Sequence, residues 1–398
     1  MSPEFPVRSH SDWPAIWLTV GVAVVAAMQL GKVPPAIPLL RQDLGLSLVA
    51  AGWLVSLVHL IGAGIGVVAG SLADQFGRRR LVSLGLGLMA VGSLAGALAN
   101  NGGGLLTARA IEGLGFAAMA AGGPSLIFEL ATVRDRALAL SAWGAFFPAG
   151  IALGLAISPL LLDHGWALLW AVNGVLLCAA ALTFGIATRR LALVRPGGSA
   201  AQFAARVGDA ARCPGPWLLG LCFTAYSCQW VALMAWLPTM LIEAGYEGKT
   251  AALMVTLVVA VNIPGNFTAG WLLQRGLPRT ALIMATFAAM AASGWAMFGL
   301  ALEPPVQFAL ALLFSTVAGI IPAAIFAAAP RHSANPDGIG AVNGFIIQGS
   351  NLGALIGPPA LALVGTIVGG WQASGGYVVI ACAVGMALAL ALAAVERR

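Results

Sequence analysis

The chain has 398 residues, of which 60% are hydrophobic and 9% charged, with a formal net charge of +6. So few charges cannot cover the surface of a water-soluble fold of this length, which excludes a soluble enzyme or a soluble binding module. The apolar residues fall in runs of about 20, the length that crosses the hydrocarbon core of a bilayer.

In chain order, residues 1–14 hold Glu4, Arg8, Asp12 and three prolines, with no cleavage-type site, so the first apolar run is expected to serve as its own insertion signal. Twelve runs follow, over 15–40, 48–73, 81–99, 104–128, 137–162, 167–187, 216–241, 250–273, 279–301, 306–328, 340–364 and 371–395. They are continuously apolar, whereas barrel strands alternate and are half as long, so helices are predicted. The 51 Gly and 22 Pro suit close helix crossings and kinks in membrane spans. Cys178, Cys213, Cys222, Cys228 and Cys382 have no metal-type spacing and read as packing residues without a disulfide. No cofactor is expected.

With the N-terminus in the cytoplasm, sixteen of the twenty Lys and Arg fall in cytoplasmic segments, two (Arg41 and Lys249) outside and two (Lys32 and Arg109) within spans. This asymmetry puts both termini inside and accounts for the basic balance without a nucleic-acid partner. The Ala- and Gly-rich, Arg-biased composition points to a bacterial inner membrane, with the lipid bilayer as the chain's surroundings. The longest polar gap, 188–215, divides the chain into a six-helix bundle at 1–187 and another at 216–398. Within that gap, 201–212 reads either as an amphipathic helix on the membrane surface or as a basic linker. An offset of 200 pairs Gln29 with Gln229, Pro38 with Pro238, Gly70 with Gly270, Arg79 with Arg279 and Pro159 with Pro359. The predicted fold is therefore all-α and polytopic, with twelve transmembrane helices in two pseudo-symmetric bundles.

After the second run comes Gly70-Ser-Leu-Ala-Asp74-Gln-Phe-Gly77-Arg78-Arg79-Arg80. This resembles the loop signature of the major facilitator superfamily, and the second copy from Gly270 to Arg279 is degraded and lacks the Asp. The resemblance implies a secondary transporter working by alternating access, functional as a monomer and often coupled to protons. It also implies that Asp74 faces the N-terminal end of helix 11 and holds the inner side closed. Arg109-Ala-Ile-Glu112-Gly-Leu-Gly115 is similar to the superfamily's motif on helix 4. Spacing puts Arg109 and Glu112 on one face. They read either as a static ion pair or as a pair in which Glu112 carries a proton.

Lys32, beside Gln29 and ahead of Pro34, Pro35 and Pro38, is an ammonium within a span, expected either to meet an anionic substrate or to snorkel outward. His59 reads either as a hydrogen-bonded core residue or as a titrating group beside an anion. With Arg109 they form the charged side of the candidate substrate site. The second half supplies neutral groups: Tyr226, Gln229, Trp230, Trp236, Asn262, Asn266, Gln348 and Asn351. Trp53, Trp143, Phe146 and Phe147 are candidate cavity aromatics. Cations and amides without an acid suit a small anion or a compact polar solute, and the run-1 prolines resemble the cyanate permease and nitroimidazole transporter branch. The alternative is a proton-coupled exporter of drugs or toxic compounds. No catalytic constellation is present, so an enzyme is not expected.

Overall fold

The computed structural model describes residues 10–67, 77–132, 134–191, 200–333 and 339–397. Among them, eleven helices are long and apolar enough to cross a membrane, and a shorter apolar helix makes the twelfth. In chain order they are α1 (Trp13–Leu44), α2 (Leu48–Gly64), α3 (Arg78–Ala97), α4 (Gly102–Leu130), α5 (Ala142–Leu162) and α6 (Trp166–Ala187), then α7 (Pro214–Glu243), α8 (Gly248–Leu273), α9 (Arg279–Gly299), α10 (Pro304–His332), α11 (Ile339–Val368) and α12 (Ser374–Glu396). The segment between α6 and α7 contains a linker helix, Ala200–Arg212. The protein is an all-α, multi-pass membrane protein. An even number of spans puts both ends of the chain on one face, called the termini face here, with the far face opposite.

Among the described residues five spans are interrupted, and proline explains where in four of them. α1 breaks at Lys32 between Trp13–Gly31 and Val33–Leu44. α5 breaks at Ala145, α8 at Val261 and α10 at Gly319. Pro35, Pro148, Pro264 and Pro322 each lie three residues beyond their break. A proline lacks the N–H that would reach the carbonyl four residues back, and its ring crowds that carbonyl, so the turn opens just after it. Pro238 and Pro358 sit inside unbroken α7 and α11, so proline permits the break and the surroundings decide it. α2 is interrupted without proline, by the 3-10 turn Leu57–His59.

Glycine sets the crossings. A Cβ on Gly154 would lie 2.7 Å from the Met28 carbonyl oxygen and 2.9 Å from Gly31 Cα, so α1 and α5 touch backbone to backbone. One apolar cluster gathers the first six helices around Ile16, Leu86, Met119 and Phe184. A second gathers the last six around Phe287, Phe314, Ile346 and Cys382. A third joins the two sets at the far face, where Val33, Ile37, Leu54 and Trp170 meet Ala232, Trp236 and Leu361. At the rim of that face, Asp163 at the end of α5 pairs with Lys249 of α8 at 2.8 Å. The far face is closed.

α2 and α11 are in contact from one end to the other. Gly52 lies against Pro359 on the far side, and Gly344 against Val67 toward the termini face. A Cβ at Gly52 would stand 2.9 Å from Pro359 Cα, a backbone atom that cannot step aside. Gly52→Leu is therefore expected to pry the far face apart and shift the population toward a far-side-open state. Spin-label distances between the far ends of α2 and α11 check this, and an unchanged distribution would refute it.

Candidate functional site

Residues beside the interruptions of α2, α5, α8 and α10 line a central cavity of about 1200 Å³. Its lining includes residues from the termini-side ends of the spans, among them Leu81, Trp143, Phe326, Gly340 and Ala341, so it opens on the termini face. Aromatic side chains make much of the wall: Trp143, Phe146 and Phe147 from α5, and Phe223, Tyr226 and Trp230 from α7. Tyr226 stacks on Phe223 with centroids 5.5 Å apart and on Trp230 at 6.3 Å. Among the described lining residues none is an Asp or Glu, and Arg206 alone carries a fixed charge.

The polar lining groups cluster beside the breaks. His59, at the 3-10 turn of α2, has Nδ1 3.0 Å from Asn351 Oδ1 of α11. The Asn351 amide nitrogen donates to the Ile347 carbonyl at 2.9 Å, so its oxygen faces the ring and assigns the imidazole proton to Nδ1. Among the described residues, His59 Nε2 has no hydrogen-bond partner, and neither has Asn343 Oδ1. Both residues line the cavity. Asn262 follows the α8 break and donates to the Ser315 carbonyl at 2.9 Å, on the last turn before the α10 break. Trp230 donates to the Ser315 hydroxyl at 3.1 Å. Asn266, one turn on, donates to the Asn262 carbonyl at 3.0 Å.

The expected charged site lies elsewhere. Lys32, Arg109, Glu112, Gln29 and Ser93 are all 0% exposed and are not part of the cavity lining. Glu112 Oε1 accepts from Lys32 Nζ at 2.8 Å, and Oε2 accepts from Arg109. The Lys32 ammonium also donates to Ser93 Oγ at 2.9 Å and to Gln29 Oε1, and lies 4.5 Å from the centre of the Trp170 ring. Three N–H donors thus meet three acceptors, the arrangement a charged ammonium requires. Arg109 Nε donates to the Leu54 carbonyl at 2.8 Å, and Gln29 donates to Asn173 Oδ1 at 3.2 Å. The pair read from spacing is therefore part of a larger network that joins α1, α2, α3, α4 and α6. Lys32 neither snorkels nor faces the cavity, because its counter-ion stands on α4, out of reach of any reading confined to α1 and α2. The network lies one helical turn above the cavity roof: Glu112 precedes Phe116 on α4, and Leu54 precedes Val58 on α2. With two cations and one carboxylate, it sets a net positive charge over that roof.

Of the other expected site residues, His59, Tyr226, Trp230 and Asn262 line the cavity. Gln229 is buried behind it and accepts from Cys382 at 3.1 Å. Gln348 accepts from the Val67 amide at 3.2 Å, bridging α11 to α2. Trp53 is 38% exposed and away from the cavity, whereas Trp143, Phe146 and Phe147 line it. In the loop motif, Gly77 adopts φ of 84°, the left-handed turn that glycine allows. Arg78 pairs with Glu129 of α4 at 2.9 Å, and Arg79 donates to the Gly185 carbonyl of α6 at 3.1 Å. Gly70 and Asp74 lie outside the described residues. Asn343, Ser350 and Arg206 line the cavity without having been singled out. Their only sequence signal was polarity near the ends or middle of apolar runs.

Among the described residues, twelve apolar helices enclose a mid-depth cavity that opens on the termini face and is sealed at the far face, the architecture of a membrane transporter. A model of the Major Facilitator Superfamily matches residues 19–358, and the chain belongs to that family. The cyanate transport protein of Escherichia coli (strain K12) is 30% identical over 229 residues, covering 56% of this chain and 59% of that protein. The niacin transporter of Acinetobacter baylyi is 26% identical over 311 residues, 68% of each. The puromycin resistance protein of Streptomyces alboniger is 35% identical over 158 residues, and the chain spans only 31% of its length. A bacterial homologue of the human lysosomal transporter Spinster, solved inward-facing and unoccupied, superposes with a TM-score of 0.82 at 15% identity, over 96% of this chain and 97% of that one.

Charge counting predicts the order of two substitutions in the buried network. Glu112→Gln leaves two buried cations without a counter-ion, a loss of about 3–5 kcal/mol. Lys32→Met removes one cation and leaves the Arg109–Glu112 pair neutral, so its cost should be distinctly smaller. Thermal unfolding of the purified variants checks the order, and a Lys32→Met protein as unstable as Glu112→Gln would contradict it.

Proposed function

We propose that the protein carries a compact organic anion across the membrane by alternating access, taking a proton with it. The observation that carries this reading is the lining of the cavity, which offers aromatic walls, amides, one open imidazole nitrogen and, among the described residues, no carboxylate. A lipophilic cation would call for a carboxylate there, which argues against the exporter alternative. The positive network above the roof adds a favourable field for an anion. The substrate contacts we assign are His59, Asn343, Asn351, Tyr226, Trp230 and Asn262. Lys32, Arg109 and Gln29 act on the solute only through that field.

The proton is assigned to His59. Its Nδ1 proton is engaged by Asn351, so Nε2 accepts when the ring is neutral and donates once a second proton binds. An anion at Nε2 therefore favours the imidazolium, and solute and proton bind with positive linkage. Glu112, held between two cations and sealed from the cavity, is the weaker candidate. The similarity to a cyanate and a niacin transporter agrees with an anionic solute, while similarity to a puromycin resistance protein keeps export as the competing direction. We place the termini face in the cytoplasm of a bacterial inner membrane, because sixteen basic residues lie on that side. The bundles are assigned to 1–187 and 216–398, with 188–215 between them.

Binding of nicotinate to purified protein should weaken as pH rises through the imidazole range, by up to about tenfold per unit. His59→Gln should flatten that dependence. A wild-type affinity independent of pH between 5 and 8 would sink the proton assignment.

The loop acid Asp74 is proposed to hold the termini face closed against the start of α11 in the opposite state. Asp74→Asn is expected to insert and fold normally yet lose most transport in proteoliposomes. A well-inserted Asp74→Asn carrier with full transport would leave the gate without support.

A further inference from the structure

A second cavity, of about 490 Å³, lies among the far-side ends of the last six helices and shares no described lining residue with the central one. It is bounded by the end of α7, the end of α9, the start of α10 and the turn between α11 and α12. Aromatic rings make much of its wall: Tyr246, Phe298, Phe308 and Trp371, together with the thioethers of Met240 and Met297. Among the described lining residues Glu243 carries the one full charge. Its carboxylate is exposed, and Oε2 accepts from the Trp371 indole at 2.7 Å. Among the described residues it has no ion-pair partner, and Lys249, the cation nearest to it in the chain, is taken by Asp163 at 2.8 Å. Glu247 and Glu303, each next in the chain to a lining residue, are exposed and add negative charge at the rim.

We propose that this second cavity binds a quaternary ammonium group, with Glu243 as its counter-ion. An ammonium that keeps its hydrogens calls for up to three acceptors, and a metal ion for several oxygen ligands. A wall made mainly of rings, thioethers and aliphatic groups suits neither. A quaternary ammonium donates no hydrogen bond and is attracted by aromatic faces and by a nearby negative charge. Glu243 therefore keeps its bond to the Trp371 indole while it faces the cation. Trp371 also packs on Trp236, with ring centres 5.5 Å apart, and Trp236 donates to the Pro358 carbonyl at 2.9 Å in the far-face seal. One ring thus serves both the site and the seal. Neither the site nor its ligand depends on which solute the central cavity carries.

The test uses the full-length protein in phosphatidylglycerol nanodiscs, with choline chloride as the probe against sodium chloride at equal ionic strength, and reads the rise in Tm that a bound ligand causes. Choline should raise the Tm of the wild type, and the uncharged alcohol with carbon in place of its nitrogen should not. Glu243→Gln keeps an oxygen for the Trp371 indole but loses the charge, so it should need about tenfold more choline for the same rise. Trp371→Leu should also bind choline more weakly. Nanodiscs of phosphatidylcholine separate the two sources of the group. Loss of the choline response there marks a lipid headgroup as the occupant, an unchanged response marks a free solute, and either upholds the site. No rise in the wild type, an equal rise in Glu243→Gln, or an equal rise with the uncharged alcohol would overturn it.

Discussion

Glu112 is the carboxylate on which five of the first six helices converge, through Lys32, Arg109 and their partners. Its two oxygens serve two cations from two directions, Lys32 from α1 and Arg109 from α4 itself. Each cation also donates to a further helix: Lys32 to Ser93 of α3, Arg109 to the Leu54 carbonyl of α2. In hydrocarbon there is no water to take over a broken contact, so every member holds the others in place. A buried network of this kind is weak as a source of net stability, but removing one partner exposes the full desolvation cost of the rest. Its consequence is geometric. It fixes α1 at its break and α2 next to its 3-10 turn, where Val58 and His59 line the cavity.

The cavity itself follows from where helices stop being regular. Breaks at Lys32, Ala145, Val261 and Gly319 release carbonyl groups that a continuous helix would have used. Just before the α10 break the Ser315 carbonyl accepts from both the Asn262 amide and the Gly319 N–H, which ties α8 to α10. Glycine then decides how tightly the broken spans pack. Gly31 on Gly154, and Gly52 on Pro359, allow backbone contact at or beyond mid-depth, and the far face closes on them. On the termini side, Trp143 and Phe147 of α5 and Asn266 and Phe267 of α8 line the cavity.

Electrostatics separate what binds from what supports. The strongest charges in the membrane-spanning region are neutralised or enclosed within the first six helices. The groups left facing the cavity are weak and adjustable: an imidazole with one open nitrogen, amides and an indole already engaged by a hydroxyl. A carrier must release what it binds, and such groups grip a solute without trapping it.

Much of the fold was legible in the chain because the bilayer admits so few solutions. Length and apolarity of the runs determined the spans, and Gly70 to Arg80 the family. Lys32, Arg109, Glu112 and His59 stood out because ionisable residues inside spans are rare. What they face was not legible. The partner of Lys32 is 80 residues away on α4, and the wall beside His59 comes from Asn351, 292 residues on. Asn343 and Arg206 became visible as cavity residues only once α11 and the linker helix were packed across the mouth. One-dimensional spacing reports which residues share a helix face. Only the packing of twelve helices, set by glycine contacts and proline breaks, decides which of those faces meet solute and which meet each other.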